Sequence, residues 1–199
     1  MLIAITGNFG SGKSSVRRMI ESHNFKTIDC DRMVDELYYE KEIIAKMKEI
    51  FGPTIALDDK IDKQLLSAII FNNPEKLKKV NAFMHPLVKE KIIKYKETHK
   101  EEFSKTLFFI EVPLLFEAKM ETLFDYVVLI KTEKELAKSR SVNKGYTEAE
   151  FERIVATQEP PEKNEKKADY VIDTGKSFDD TRKQVEELLE KLSKKKAFE

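Results

Sequence analysis

Between residues 7 and 14 the chain reads Gly7-Asn8-Phe9-Gly10-Ser11-Gly12-Lys13-Ser14, the spacing G-x-x-x-x-G-K-[ST], directly after an apolar run and before a helical one. Each residue type has a chemical use there. Glycines let successive backbone N–H groups turn inward around phosphate oxygens, and the following helix adds the positive end of its dipole. Lys13 reaches the β- and γ-phosphates, and the Ser14 hydroxyl is a ligand for the Mg²⁺ that bridges them. The pattern implies a nucleoside triphosphate with Mg²⁺, held by Asn8, Phe9, Gly10, Ser11, Gly12, Lys13, Ser14 and Ser15. Chance would supply such a match in under about one chain of this length in a hundred.

The loop alone does not say where the phosphoryl group goes. The guanine-reading pattern N-K-x-D is missing, because Tyr146 follows Asn143-Lys144-Gly145 where an aspartate is needed. Motor and transporter ATPases usually bring further domains and a partner, so a small-molecule kinase fits 199 residues better than a nucleotide-driven switch module. Transfer to a hydroxyl needs a group that orients it and accepts its proton. Asp29 and Asp31 follow the second expected strand, where alternation puts them on one face at the sheet edge that gathers ligands. Asp31 is the candidate base, and it also suits the N-cap of a helix running from Arg32. Glu111 ends another expected strand and has two open readings, a holder of the Mg²⁺ water shell or a solvated strand end.

These residues need a sheet to carry them. Apolar or β-rich runs at Leu2–Thr6, Thr106–Ile110, Tyr126–Ile130 and Tyr170–Ile172, with a weaker one at Phe25–Ile28, alternate with helical stretches and predict an α/β fold. From Asp31 to Lys100 the apolar spacing is helical, which predicts an inserted lobe. Pro53, Pro74 and Pro86 punctuate that lobe. Asn72-Asn73 reads as a helix stop before a new start, and His85-Pro86 as a turn between two helices. His23 and His99 lack metal-ligand spacing and are expected on the surface. Basic and acidic residues number 36 each, which argues against a nucleic-acid coat. The longest apolar runs are far too short to cross a membrane, and one cysteine with no leader pattern predicts a cytoplasmic protein.

Beyond these motifs the chain resembles the dephospho-coenzyme A kinase family almost end to end. The resemblance rests on the phosphate loop, Asp29 and Asp31, Phe51-Gly52, Ile61-Asp62-Lys63 with Leu66 and Phe71, and His85-Pro86. It continues through Pro113-Leu114-Leu115-Phe116-Glu117, Gln158 and Ala168-Asp169-Tyr170-Val171-Ile172. It implies a P-loop kinase-like, three-layer α/β/α fold with a five-stranded parallel sheet. The core would be 1–30, 101–132 and 159–199, the helical acceptor lobe 31–100, and a helical lid 133–158. It further implies transfer of the ATP γ-phosphoryl to the ribose 3′-hydroxyl of dephospho-coenzyme A, with Asp31 as base. His85, Leu115, Phe116 and Glu117 would bind the acceptor and Thr174 would join the ATP site. The expected partners are these two small molecules, with the chain a monomer or weak homo-oligomer.

The family's lid usually carries arginines four apart, and these positions correspond to Ser139 and Asn143 here, with Arg140 and Lys144 each one residue away. Lys63 replaces a usual arginine, and Thr174 stands where an asparagine usually follows the fifth strand. From Lys131 to Lys144 five basic residues face two acidic ones, a local excess of 5 − 2 = +3. Arg140 and Lys144, expected to share a helix face, are the candidate lid cations, with Arg140 the main contact to the transferring phosphoryl.

Overall fold

The computed structural model describes residues 1–71 and 73–197. In chain order the elements are β1 (Leu2–Thr6), α1 (Lys13–Ser22), β2 (Lys26–Asp29), α2 (Cys30–Leu37), α3 (Lys41–Phe51), β3 (Ala56–Leu57), β4 (Lys60–Ile61), α4 (Lys63–Phe71) and α5 (Pro74–Thr98). Then follow α6 (Lys100–Lys105), β5 (Phe108–Glu111), β6 (Tyr126–Lys131), α7 (Lys134–Val142), α8 (Glu148–Val155), α9 (Pro161–Glu165), β7 (Tyr170–Asp173) and α10 (Phe178–Ala197). Two compact units result, Met1–Asp29 with Ile93–Glu199, and Cys30–Ile92.

In the first unit five parallel strands run in the order β2-β5-β1-β6-β7. Every residue of β1 is buried, as a strand covered on both faces requires. Side chains alternate: Ile3 and Ile5 join Val16, Ile20, Val185 and Leu188 of α1 and α10 in one core layer. On the opposite face, Phe108 of β5 meets Tyr95 of α5 and Phe103 of α6 at ring-centroid distances of 5.7 and 5.0 Å. Because β1 lies inside the sheet with chain returning on either side, its carboxyl end is the switch point where such folds bind ligands. The register sets Asp29 of β2 beside Glu111 of β5 at that edge.

The second unit holds α2 to α4 and most of α5. Asp62 starts α4 by accepting from the backbone N–H groups of Gln64 and Leu65, at 2.9 and 3.0 Å. Asn73 does the same for Lys76 at 3.0 Å, with Pro74 the first residue of α5. Asn72, the other half of the expected stop, lies outside the described residues.

Two expectations are corrected and one element is new. His85-Pro86 is no turn, since α5 runs through it for 25 residues. Val80, Met84, Val88 and Ile92 form one buried stripe across the proline, and that burial outweighs the roughly 3 kcal/mol of an interior proline. The β3–β4 hairpin was not expected. Its strands are two residues each, too short for a visible period, and Asp58 and Asp59 both take positive φ at its turn. His99 is not simply a surface residue, because its ring stacks on Tyr95 at 4.0 Å. His23 is exposed, as expected.

Candidate active site

The phosphate loop follows β1 into the first turn of α1. Two glycines in it are obligatory. A Cβ on Gly7 (φ 151°) would run into the Ile130 carbonyl oxygen, and one on Gly10 (φ 78°) would lie 2.5 Å from the Ala137 carbonyl oxygen. Gly12 (φ 95°) is the N-cap of α1 and has no side chain with which to cap it. The Lys13 ammonium donates to the carbonyl oxygens of Gly7 and Asn8 at 2.8 and 3.2 Å, which holds it across the loop.

Beneath the loop lies a carboxylate that the sequence left ambiguous. Glu111 is 4% exposed, which removes the solvated strand-end reading. Its Oε1 accepts from the Ser14 hydroxyl at 3.1 Å and its Oε2 from Arg17 Nε at 2.9 Å. Arg17 also pairs with Glu21 at 2.7 Å and Asp29 at 3.8 Å. Sequence reasoning passed over Arg17, although its place three residues after Ser14 puts both on one face of α1. Ser14, Glu111 and Asp29 offer hard oxygen donors, the set Mg²⁺ prefers. Among the described residues no group of three His, Cys, Asp or Glu could hold a metal by itself.

Beside the loop, Gly10, Gly12, Ser15, Arg140, Lys144 and Thr174 help line a cavity of about 370 Å³. Arg140 and Lys144 do not share a helix face as expected, because α7 ends at Val142 and Gly145 (φ 97°) turns the chain away. The positive excess between Lys131 and Lys144 is also largely spent. Lys134 and Lys138 both bind Glu152 of α8, at 2.6 and 3.1 Å, and Lys131 binds Glu165 at 2.8 Å. Both carboxylates lie outside the stretch from Lys131 to Lys144. Arg140 is fixed on Thr174, which in turn is bonded to the carbonyl of Ser11.

Asp31 stands in the first turn of α2, which begins at Cys30. It is therefore neither an N-cap nor part of an extended segment with Asp29. The Tyr38 phenol is pushed up to about 12 by burial and then by the charges of Asp35 and Asp31. Lys63 pairs with Asp35. His85 is half-buried in α5, and burial lowers its pKa below the ordinary 6.5, so it is neutral at pH 7. In the first unit, Leu115 and Phe116 are buried, with the Lys167 ammonium 5.2 Å from the Phe116 ring centre. Glu117 Oε1 accepts from the Glu159 backbone N–H at 2.8 Å. The same run holds Leu114 at φ 56°, a strained conformation for so bulky a residue.

A phosphate loop at the switch point of a parallel sheet, a buried carboxylate on its serine, and a cation-bearing helical segment beside it define a P-loop kinase. The family model for dephospho-CoA kinase matches residues 1–180, and the chain belongs to that family. A dephospho-CoA kinase of Aquifex aeolicus is 33% identical over 195 residues, 96% of this chain and 97% of that one. The solved dephospho-CoA kinase from Campylobacter jejuni superposes with a TM-score of 0.70 at 29% identity, covering 97% of each chain. The structure of TT1252 from Thermus thermophilus gives 0.74 at 29% identity, covering 96% of this chain and 97% of that one. No helix among the described residues is long and apolar enough to cross a membrane.

Proposed function

We propose that this chain transfers the γ-phosphoryl group of ATP to the ribose 3′-hydroxyl of dephospho-coenzyme A, releasing coenzyme A and ADP in the cytoplasm. The family match over residues 1–180 carries the choice of acceptor. In the reaction a bond forms between the 3′-oxygen and the γ-phosphorus, and the bond to the bridging oxygen of ADP breaks. Asp31 orients the hydroxyl and takes its proton. Loop amides from Asn8 to Ser15 hold the phosphates, and Lys13 leaves its carbonyl partners to offset their charge. Ser14 and Glu111 would hold Mg²⁺, which neutralises charge on the phosphates when bound. Arg140, helped by Lys144, supplies the lid's positive charge, and Thr174 closes the ATP site. His85, Leu115, Phe116 and Glu117 belong to acceptor binding in this reading. His85, being neutral, acts there as a hydrogen-bonding group rather than a cation.

The test is ADP release with dephospho-coenzyme A, adenylate, cytidylate or shikimate as acceptor, and with none. Turnover should require dephospho-coenzyme A. Equal rates with and without any acceptor would sink the reading in favour of a nucleotide-driven switch.

A further inference from the structure

Phosphate is held by backbone in a loop of this kind, so an aromatic ring in its second variable position has no use toward the phosphates. Phe9 is such a ring. It meets Tyr146 edge-on at 4.9 Å between centroids and lies 6.1 Å from Phe151, a fully buried residue of α8. Its backbone N–H donates to Gln158 Oε1 at 2.8 Å. The neighbouring Asn8 donates through Nδ2 to the Glu159 carbonyl at 3.0 Å, and Gly10 lies against α7 so closely that no Cβ fits. Three successive loop residues thus rest on three parts of the segment 133–159.

The connection between α7 and α8 is held along its own length by backbone bonds, Lys144 and Tyr146 donating to the Ser141 carbonyl and Gly145 to that of Val142, and it reaches the phosphate loop through a side chain. Residues 142–149 are all exposed, and Tyr146 is the ring by which this stretch reaches the loop. Asn143 and Lys144, which line the cavity beside Gly10 and Gly12, belong to the same stretch. An edge-on aromatic pair is directional, so it restrains the chain around Tyr146.

We propose that Phe9 is a positioning residue for phosphoryl transfer: through Tyr146 it fixes the α7–α8 connection so that Lys144 stays over the nucleotide cavity. The idea rests on the reading that the loop binds ATP. It assigns Phe9 an effect on turnover that passes through another residue and leaves ATP binding nearly intact.

The chain has no tryptophan, so Tyr146→Trp installs a single reporter. Its fluorescence anisotropy in the nucleotide-free protein should decay slowly, and the addition of Phe9→Ala should free the ring. In otherwise wild-type protein, Phe9→Ala should lower kcat about tenfold with KM for ATP changed less than about threefold, and Phe9→Tyr should restore turnover. In a Lys144→Ala background the further loss from Phe9→Ala should vanish. Unchanged anisotropy, or kcat losses that simply multiply, would overturn the proposal. The anisotropy measurement needs no nucleotide, and ADP calorimetry on the unmodified chain judges the ATP reading separately.

Discussion

The guanidinium of Arg140 spans Thr174, with one amine donating to its Oγ1 at 2.8 Å and the other to its carbonyl oxygen at 2.7 Å. The hydroxyl in turn donates to the Ser11 carbonyl oxygen at 2.7 Å. One buried hydroxyl therefore ties the end of α7 to the phosphate loop. Thr174→Val keeps the shape and the bond from Arg140 to the backbone carbonyl but removes the hydroxyl's two bonds, to Arg140 and to Ser11, so it should cost about 1–3 kcal/mol in urea unfolding. It should also raise KM for ATP severalfold. Arg140→Lys should keep little of the benefit, because an ammonium lacks the planar fork whose two amines reach the hydroxyl and the carbonyl together. If Arg140→Ala left turnover and KM at wild-type values, neither anchoring nor phosphoryl contact could be its role.

Lys13→Ala and Asp31→Asn should both abolish most turnover, for different reasons. Losing the lysine removes charge stabilisation on the phosphoryl group, a fall of about a hundredfold or more. Losing the carboxylate removes orientation and proton acceptance while ATP binding persists, a fall of about 10²–10⁴. Calorimetric titration with ATP and steady-state rates divide the two. Near-normal turnover in Asp31→Asn, with both substrates bound, would remove the base assignment.

How much of this could be read from residues alone depends on the range of the interaction. The phosphate loop was legible because its function is written in contiguous backbone requirements, and Gly7 and Gly10 stand where a Cβ has no room. Strands such as β1 were legible as uninterrupted apolar runs. The continuation of α5 through Pro86 was not, since local propensity favours a break and only the buried stripe on both sides decides otherwise. The positive charge between Lys131 and Lys144 misled for a similar reason, as Glu152 and Glu165 neutralise it from beyond the local stretch. The spacing from Ser14 places Arg17 on the right face of α1, but its partners appear when β2 and β5 lie side by side and bring Asp29 and Glu111 to it.

Glu111→Gln should weaken metal use more than nucleotide binding. The carboxylate is buried between the Ser14 hydroxyl and Arg17, and an amide of the same size carries no charge to offset the guanidinium or a divalent cation. The Mg²⁺ concentration for half-maximal rate should rise about tenfold, in keeping with altered positioning of a metal ligand. Mn²⁺ binding in the presence of ADP, followed by electron paramagnetic resonance, gives a readout apart from turnover. Identical Mn²⁺ affinity in the variant would confine Glu111 to holding α1 against the sheet.

His85 should give the fold a pH dependence of its own. Burial lowers its pKa below the ordinary value of 6.5. Between that lower value and 6.5 the unfolded chain binds more protons than the folded one, so stability rises with pH across this window. The contribution is whole above 6.5, shrinks as the pH falls below it, and is lost as the pH drops through the folded-state value. Carboxylates titrate near the same range, so the comparison must be with His85→Gln, which keeps a polar group and removes the titration. Urea midpoints measured from pH 7.5 down to 5 should fall more steeply for the wild type than for the variant. Parallel curves would mean that His85 takes up its proton as readily in the folded chain as in the unfolded one, and that its half-buried place in α5 does not hold it neutral.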